Sequence, residues 1–273
     1  MGKSNINFKA AATLLTLCCV PSLALANNGN KDDESETESS VFYSELDVSK
    51  NDVNLYSSYI FALNRDLGKD GVLFRVEGLY DKFMYSAGLD RAQNINGTEW
   101  QGAAFVGYQI VRNAITYSGY MGVDVPSITL SPNDPTNPVR GTEVGFKVKG
   151  EMETDLEKTW YLDITADYST AFQTYDSRIR PGWKFGSGKP EYQIVIGPEA
   201  GFLGDRTFDA QRLGAFVLFP IKINEDITAQ FIIAAGYQWV EDRGSGAQNA
   251  GDSGPSTAGE AGAYGTASFE LPF

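Results

Sequence analysis

Apolar and polar residues alternate along most of the chain between residue 41 and its end. In residues 143–153 the even-numbered positions are Val, Phe, Val, Gly and Met, whereas most odd-numbered positions carry Lys or Glu. In residues 227–239 every odd-numbered position, from Ile227 to Trp239, is apolar or aromatic. Because the side chains of a strand point alternately to its two faces, this period of two predicts strands with one apolar face.

Clusters of Gly, Asn, Asp and Pro separate the alternating runs and are typical of turns. Most runs are near or above the ~9–11 residues with which a tilted strand crosses a bilayer. We predict an all-β fold, a transmembrane antiparallel up-and-down β-barrel of 12 strands, with 10 strands as the alternative, because single-chain barrels have an even number. The predicted strands are residues 41–49, 52–64, 71–86, 99–110, 113–124, 140–153, 158–170, 173–184, 191–203, 207–220, 226–240 and 259–273.

The longest connections between these strands are all odd-numbered in chain order. The longest, residues 87–98, 125–139 and 241–258, are the third, fifth and eleventh connections, so they would lie at one end of the barrel. Bacterial outer-membrane barrels have long external loops and short periplasmic turns, so this end is predicted to be the outer one. Alternation alone would also fit a water-soluble barrel or sandwich, but the one-sided loop lengths favour the membrane barrel.

The last predicted strand carries an apolar face that includes Phe269, Leu271 and Phe273. We interpret these three residues as the barrel-closing signal, because a barrel in lipid must pair its last strand with its first. Pro272 is an irregularity, since proline has no amide N–H to donate within the sheet. It is compatible with this strand at the periplasmic rim or with its missing donor facing outward.

The N-terminal region predicts export. Residues 1–26 have a basic start, an apolar run and the sequence Ala24-Leu25-Ala26, which together form the pattern of a cleaved signal peptide. The apolar run is shorter than the ~20 residues of a membrane-spanning helix. Residues 27–40 are polar and acidic and predict a disordered periplasmic tail, followed by the barrel over residues 41–273. We therefore expect the protein in the outer membrane of a Gram-negative cell.

The composition excludes several kinds of chemistry. The chain has no histidine, and its two cysteines, Cys18 and Cys19, belong to the predicted signal peptide. Sites that need a histidine base, and metal centres built from His or Cys, are therefore impossible. We predict no catalytic residue, no metal and no cofactor, although a carboxylate pair for glycoside hydrolysis is not excluded by composition. The formal net charge of −13 argues against nucleic acid as a partner.

If the apolar face of each strand meets lipid, the charged residues of the other face line the lumen. Mixed signs predict a salt-bridged, partly filled interior, whereas one sign would suggest an ion-selective pore. Two interpretations stay open: the charges hold the barrel in shape by pairing, or they form a polar lining for a hydrophilic ligand. The candidates are Arg75, Glu77, Glu143, Lys147, Lys149, Glu151, Arg178, Arg180, Glu199 and Arg212.

A second candidate feature lies in the predicted fifth connection, where Asn133, Asp134 and Pro135 stand in a run rich in Asn and Pro. Such residues form rigid turns, and Asp134 is predicted to stabilise the loop through an Asx turn. Contact between Asp134 and glycan hydroxyls is the alternative interpretation.

An ordered series of short segments resembles one family. The segments are GYQ (107–109), YMGVD (120–124), SPNDPTNP (131–138), GTEVGFK (141–147), YSTAF (168–172), GPE (197–199) and QRLGAF (211–216), with Tyr175, Ser177, Arg178, Arg180 and Gly204 between them. Together they resemble the BcsS-type cellulose biosynthesis proteins of Gram-negative bacteria, over most of the chain from about residue 55 to 220.

This resemblance implies an accessory role in making or exporting cellulose, without a defined catalytic residue. The partners it implies are cellulose or the cellulose-synthesis machinery. The predicted fold adds outer-membrane lipid around the barrel and the barrel assembly machinery during biogenesis. Three functions stay open, because fold does not decide function: a non-enzymatic barrel assisting cellulose synthesis or secretion, a general porin or small-molecule channel, and a lumenal glycan-active enzyme.

Overall fold

The computed structural model describes residues 38–87, 93–154, 160–186, 193–223, 227–242 and 260–273. The predicted signal peptide and nearly all of the predicted acidic tail lie outside these residues. No helix in the described residues is long and apolar enough to cross a membrane. The strands are β1 (Ser40–Ser49), β2 (Asp52–Ala62), β3 (Gly71–Ala87), β4 (Gln93–Arg112), β5 (Ile115–Ser131), β6 (Gly141–Thr142), β7 (Gly145–Thr154), β8 (Trp160–Ser169), β9 (Tyr175–Gly186), β10 (Gln193–Gly204), β11 (Phe208–Lys222), β12 (Thr228–Asp242) and β13 (Gly262–Pro272).

The sheet closes on itself. Each long strand pairs antiparallel with its neighbours in the chain, and β13 pairs with β1 in the register Val41↔Pro272 to Val48↔Gly265. The two-residue strand β6 pairs only with the outer part of β5, so the wall of the barrel consists of the other 12 strands. The predicted up-and-down barrel of 12 strands is therefore confirmed.

The outward face of the wall is apolar. The side chains of Trp100, Met121 and Val123 are 61, 58 and 55% exposed, and they alternate with buried inward-facing residues of β4 and β5. A surface of this kind is stable against hydrocarbon and not against water. Closure also pairs the backbone groups of every wall strand, which a bilayer requires, so the fold is a transmembrane barrel.

Both ends of the described barrel meet at one rim, called the periplasmic end here after the general topology of such barrels. The backbone N–H of Phe273 donates to the Ser40 carbonyl at 2.8 Å, and the Phe273 carbonyl accepts from Ser39 N at 2.6 Å. Pro272 is the last residue of β13. Pro272 therefore lies at the rim, which is one of the two positions where the closing strand is predicted to accept a proline.

Two loops are shorter than the sequence predicts. The predicted loops over residues 87–98 and 125–139 are partly strand, because β4 begins at Gln93 and β5 continues to Ser131. Asn and Gly residues favour a loop at 94–98, but Ile95 packs with Ile128 and Leu130 in an apolar cluster inside the outer end of the barrel. This burial outweighs the local turn preference and keeps the two strands paired up to Asn96↔Ser131.

The interior is partly filled by apolar side chains as well as charges. Towards the periplasmic end, one cluster includes Leu73 and Phe105, and another includes Val195 and Phe216. At the outer end a third cluster surrounds Phe172. The polar part of the lumen lies among these three clusters.

Candidate functional site

A cavity of about 400 Å³ runs through the lumen, and each of the 12 wall strands contributes to its lining. Thirteen carboxylate residues and six lysines or arginines line it, so its wall is acidic overall. The mixed signs predicted from the sequence are present, and most of the charges fall into two groups.

The first group joins β3 to β7 across the lumen. Arg75 Nη1 lies 2.6 Å from Glu151 Oε1, and Arg75 Nε lies 2.7 Å from Glu77 Oε1. Lys147 Nζ and Lys149 Nζ lie 3.5 and 3.4 Å from the Glu77 carboxylate. These strands are separated in the wall by β4 and β5, so the ion pairs bridge the interior rather than two neighbouring strands.

The second group joins β9 and β11 to β1. Arg178 Nη1 donates to Glu45 at 2.8 and 2.9 Å, and Arg212 pairs with Asp47. Arg178 and Glu45 are separated in the wall by four strands, β10 to β13. This group therefore also spans the lumen.

Arg180 and Glu199 form the most buried pair of the second group, on the neighbouring strands β9 and β10. Their side chains are 1 and 3% exposed. Arg180 also lies 3.7 Å from Asp163, and Tyr264 Oη donates to Glu199 at 2.7 Å. Removing one partner of such a pair leaves a buried charge without compensation, which costs about 3–5 kcal/mol.

Nine of the ten predicted lumenal residues belong to these two groups. Glu143 does not. It lies just before β7 at the outer rim, where it accepts hydrogen bonds from Arg206 Nη2 at 2.9 and 3.1 Å and from Phe172 N at 2.7 Å. Residue 143 precedes the strand, so the alternation of inward and outward positions does not place its side chain.

Several residues that pair within the two groups are not among the lumenal candidates predicted from the sequence. Glu45 and Asp47 provide carboxylates for arginines across the lumen. Asp163 and Asp167 provide them for Arg180, Lys147 and Lys149 on the neighbouring strands β9 and β7. Tyr56 accepts from Arg75 Nη2 at 2.8 Å and donates to Glu77. The inward parity of these residues is readable from the sequence, but the identity of the residues that pair with them is not.

The predicted outer-loop motif folds back onto the mouth of the barrel. Asp134 Oδ1 accepts from Thr136 N at 3.0 Å, which is the predicted Asx turn, and Asp134 Oδ2 accepts from Tyr85 Oη at 2.9 Å. Burial opposes the ionisation of Asp134, but the hydrogen bonds from Thr136 and Tyr85 outweigh it and hold the pKa of this carboxyl below its usual range. Asn133 contacts Arg140 at 3.3 Å, and Pro135 occupies the turn beside it.

The loop partly covers the lumen as a result. Asn137 Nδ2 donates to Tyr85 Oη at 3.0 Å, and Val139, which is 2% exposed, packs into the outer apolar cluster and lines the cavity. The predicted loop is therefore a structured element that narrows the outer mouth.

The model of the family described as cellulose biosynthesis protein BcsS matches residues 41–273, which is the whole barrel. The chain belongs to the BcsS family. The family match extends beyond the segments that carry the resemblance in sequence and includes β12 and the closing strand. The match shows that this is a barrel associated with cellulose biosynthesis.

No curated protein matches the chain. Among solved structures, BamA from Haemophilus ducreyi lacking POTRA domains 1–3 is 9% identical, with a TM-score of 0.37, over 87% of this chain and 71% of that one. OprB from Pseudomonas putida at low pH is 8% identical, with a TM-score of 0.27, over 86% of this chain and 92% of that one. At these scores the likenesses add no argument, and the fold rests on the strand register above.

Proposed function

We propose that this member of the BcsS family is a non-enzymatic barrel of the outer membrane that assists cellulose synthesis or secretion. The observation that carries the proposal is the family match over the entire barrel, residues 41–273. The proposed route to the membrane is export with cleavage after Ala26, followed by insertion by the barrel assembly machinery. Cellulose or its synthesis machinery is the proposed partner.

The lumen supports an accessory role over that of a general porin. Ion pairs cross it from β3 to β7 and from β9 to β1, and apolar clusters fill part of it. The remaining volume of about 400 Å³ is at the low end of ordinary ligand pockets. A wide aqueous channel of the porin type needs a larger, unbridged interior.

The chemistry of the two ion-pair groups supports a non-enzymatic role for the residues in them. With no histidine in the chain, only carboxylates remain as acid and base, and most of those in the two groups are engaged by arginine or lysine. A general acid needs a carboxyl that keeps its proton near neutral pH, which an adjacent cation opposes.

Deletion of the gene, with cellulose measured by a glucan-binding dye, tests the proposal. We expect less cellulose in the deletion strain and recovery with the wild-type gene on a plasmid. Unchanged cellulose would overturn the accessory role. Large, steady conductance of the purified barrel in a planar bilayer would favour the porin, and shortening of cello-oligosaccharides by the purified barrel would favour the enzyme.

A further inference from the structure

Five inward-facing polar residues lie side by side in the wall. Thr266 on β13 is the register partner of Asp47 on β1, Asp47 of Asn54 on β2, Asn54 of Asp81 on β3, and Asp81 of Glu99 on β4. All five line the cavity. Neighbouring strands are ~4.8 Å apart, so this polar row extends for about 19 Å across five strands, around the inner wall of the lumen.

One end of the polar row carries three carboxyl groups that have no basic partner. Asp81 and Glu99 are direct cross-strand partners, and Asp52 precedes Asn54 by two residues on the same face. Among the described residues, no lysine or arginine forms an ion pair with these three carboxylates, although six basic residues line the same cavity. Two buried carboxyl groups directly opposite each other gain nothing from ion pairing and would repel each other if both were ionised, so the fold itself does not explain them.

Hydrogen-bonding groups in the cavity wall also lack partners. Asp81 Oδ1, Thr266 Oγ1 and Arg180 Nη2 are buried and make no hydrogen bond, and all three residues are at least nine-tenths buried and line the cavity. Buried polar groups are nearly always satisfied, so these atoms point to a ligand. The ligand must offer donors to the carboxylate and acceptors to the guanidinium, and a hydroxyl group offers both.

The lining favours a sugar over a metal ion. No group of Asp and Glu residues in the described part of the chain has an arrangement that would hold a metal ion. The cavity is also lined by aromatic rings, among them Tyr43, Tyr56 and Phe83. Its volume of about 400 Å³ limits a bound sugar to a short segment.

We propose that the lumen binds a short segment of a β-linked glucan against the polar row, with Asp81 and Glu99 accepting hydrogen bonds from its hydroxyl groups. The choice of a glucan among hydroxylated ligands rests on the proposed function. The row and the unpartnered atoms are properties of this chain.

The test is isothermal titration of cellohexaose into the purified full barrel, in a detergent without a sugar headgroup. We expect saturable binding of cellohexaose, and at least about tenfold weaker binding of maltohexaose, whose α-linked chain is not extended. Asp81→Ala should weaken cellohexaose binding about tenfold, because it removes a buried hydrogen-bonding carboxyl group. Glu241→Ala is the matched control, since Glu241 is exposed and outside the cavity, and should bind as the wild type does.

Stability provides the second readout. Asp81→Ala removes one of two facing buried carboxyl groups that have no basic partner, so its urea midpoint should equal or exceed that of the wild type. Glu99→Gln, which keeps the shape of the side chain, should behave in the same way in both measurements. Absence of cellohexaose binding by the folded wild type, equal binding by Asp81→Ala, equal binding of maltohexaose, or a less stable Asp81→Ala barrel would each overturn the proposal.

The outcome is separable from that of the proposed function. Failure of cellohexaose to bind, in a protein whose gene restores cellulose to the deletion strain, removes the glucan site and leaves the accessory role. Binding of cellohexaose by a protein whose deletion leaves cellulose unchanged does the reverse.

Discussion

Replacing Arg180 with methionine should destabilise the barrel more than any surface change. The Arg180 side chain is 1% exposed and its partner Glu199 is 3% exposed, so the substitution would leave the Glu199 carboxyl buried without its cationic partner. Its remaining partner would be the hydroxyl of Tyr264, at 2.7 Å, which is neutral. We expect Arg180→Met to lower the free energy of unfolding by about 3–5 kcal/mol.

The double variant Arg180→Met/Glu199→Gln distinguishes two causes of the lost stability, the unpaired buried carboxyl of Glu199 and the packing lost with Arg180. Glutamine can still accept from Tyr264 but carries no charge, so the double variant should recover most of the lost stability. Urea unfolding in lipid vesicles, followed by tryptophan fluorescence, measures both variants. A loss below about 1 kcal/mol, the scale of an exposed ion pair, would refute the reasoning, as would a double variant no more stable than the single one.

Three further predictions concern the remaining features. Arg178→Ala and Arg212→Ala each remove an ion pair that crosses the lumen to β1. Each should reduce the yield of assembled barrel, measured by the gel shift of unheated barrel, or the cellulose output, measured by dye binding. If both measurements are unchanged, the charge network has no role in assembly or in cellulose production. Gly236→Ala should cost about 1–3 kcal/mol in urea unfolding, because a Cβ there would lie 2.3 Å from the Leu213 carbonyl oxygen. Gly150→Ala is its control, since a Cβ there meets nothing within 4 Å. The pKa of Asp134 is lowered in the folded loop, so its contribution to loop stability is full above the usual aspartate range and is lost as the pH falls through the folded value. The anisotropy of a dye on Arg140→Cys should therefore drop at acid pH, whereas Asp134→Asn should be loose at all pH values.

The sequence by itself determines the architecture of this protein. The period of two along each run separates a lipid-facing side from a lumenal side, and the even number of runs with one-sided loop lengths fixes an up-and-down barrel. Both are local signals, because a strand shows its two faces without reference to its neighbours. For the same reason the inward direction of Arg178, Arg180, Glu199 and Arg212 is readable from the chain.

The tertiary structure alone decides which inward residues meet. Arg75 finds Glu151 and Arg178 finds Glu45 across the lumen, at sequence separations of 76 and 133 residues. The register of the strands and the curvature of the barrel determine which residues form these ion pairs. Neither can be read from the alternation of apolar and polar residues. Three other features appear only in the structure. Glu143 lies at the rim, and β4 and β5 extend into the predicted loops. One row across the wall contains Thr266, Asp47, Asn54, Asp81 and Glu99. Alternation tells which side a residue faces, whereas contact across a closed sheet depends on every strand between the two partners.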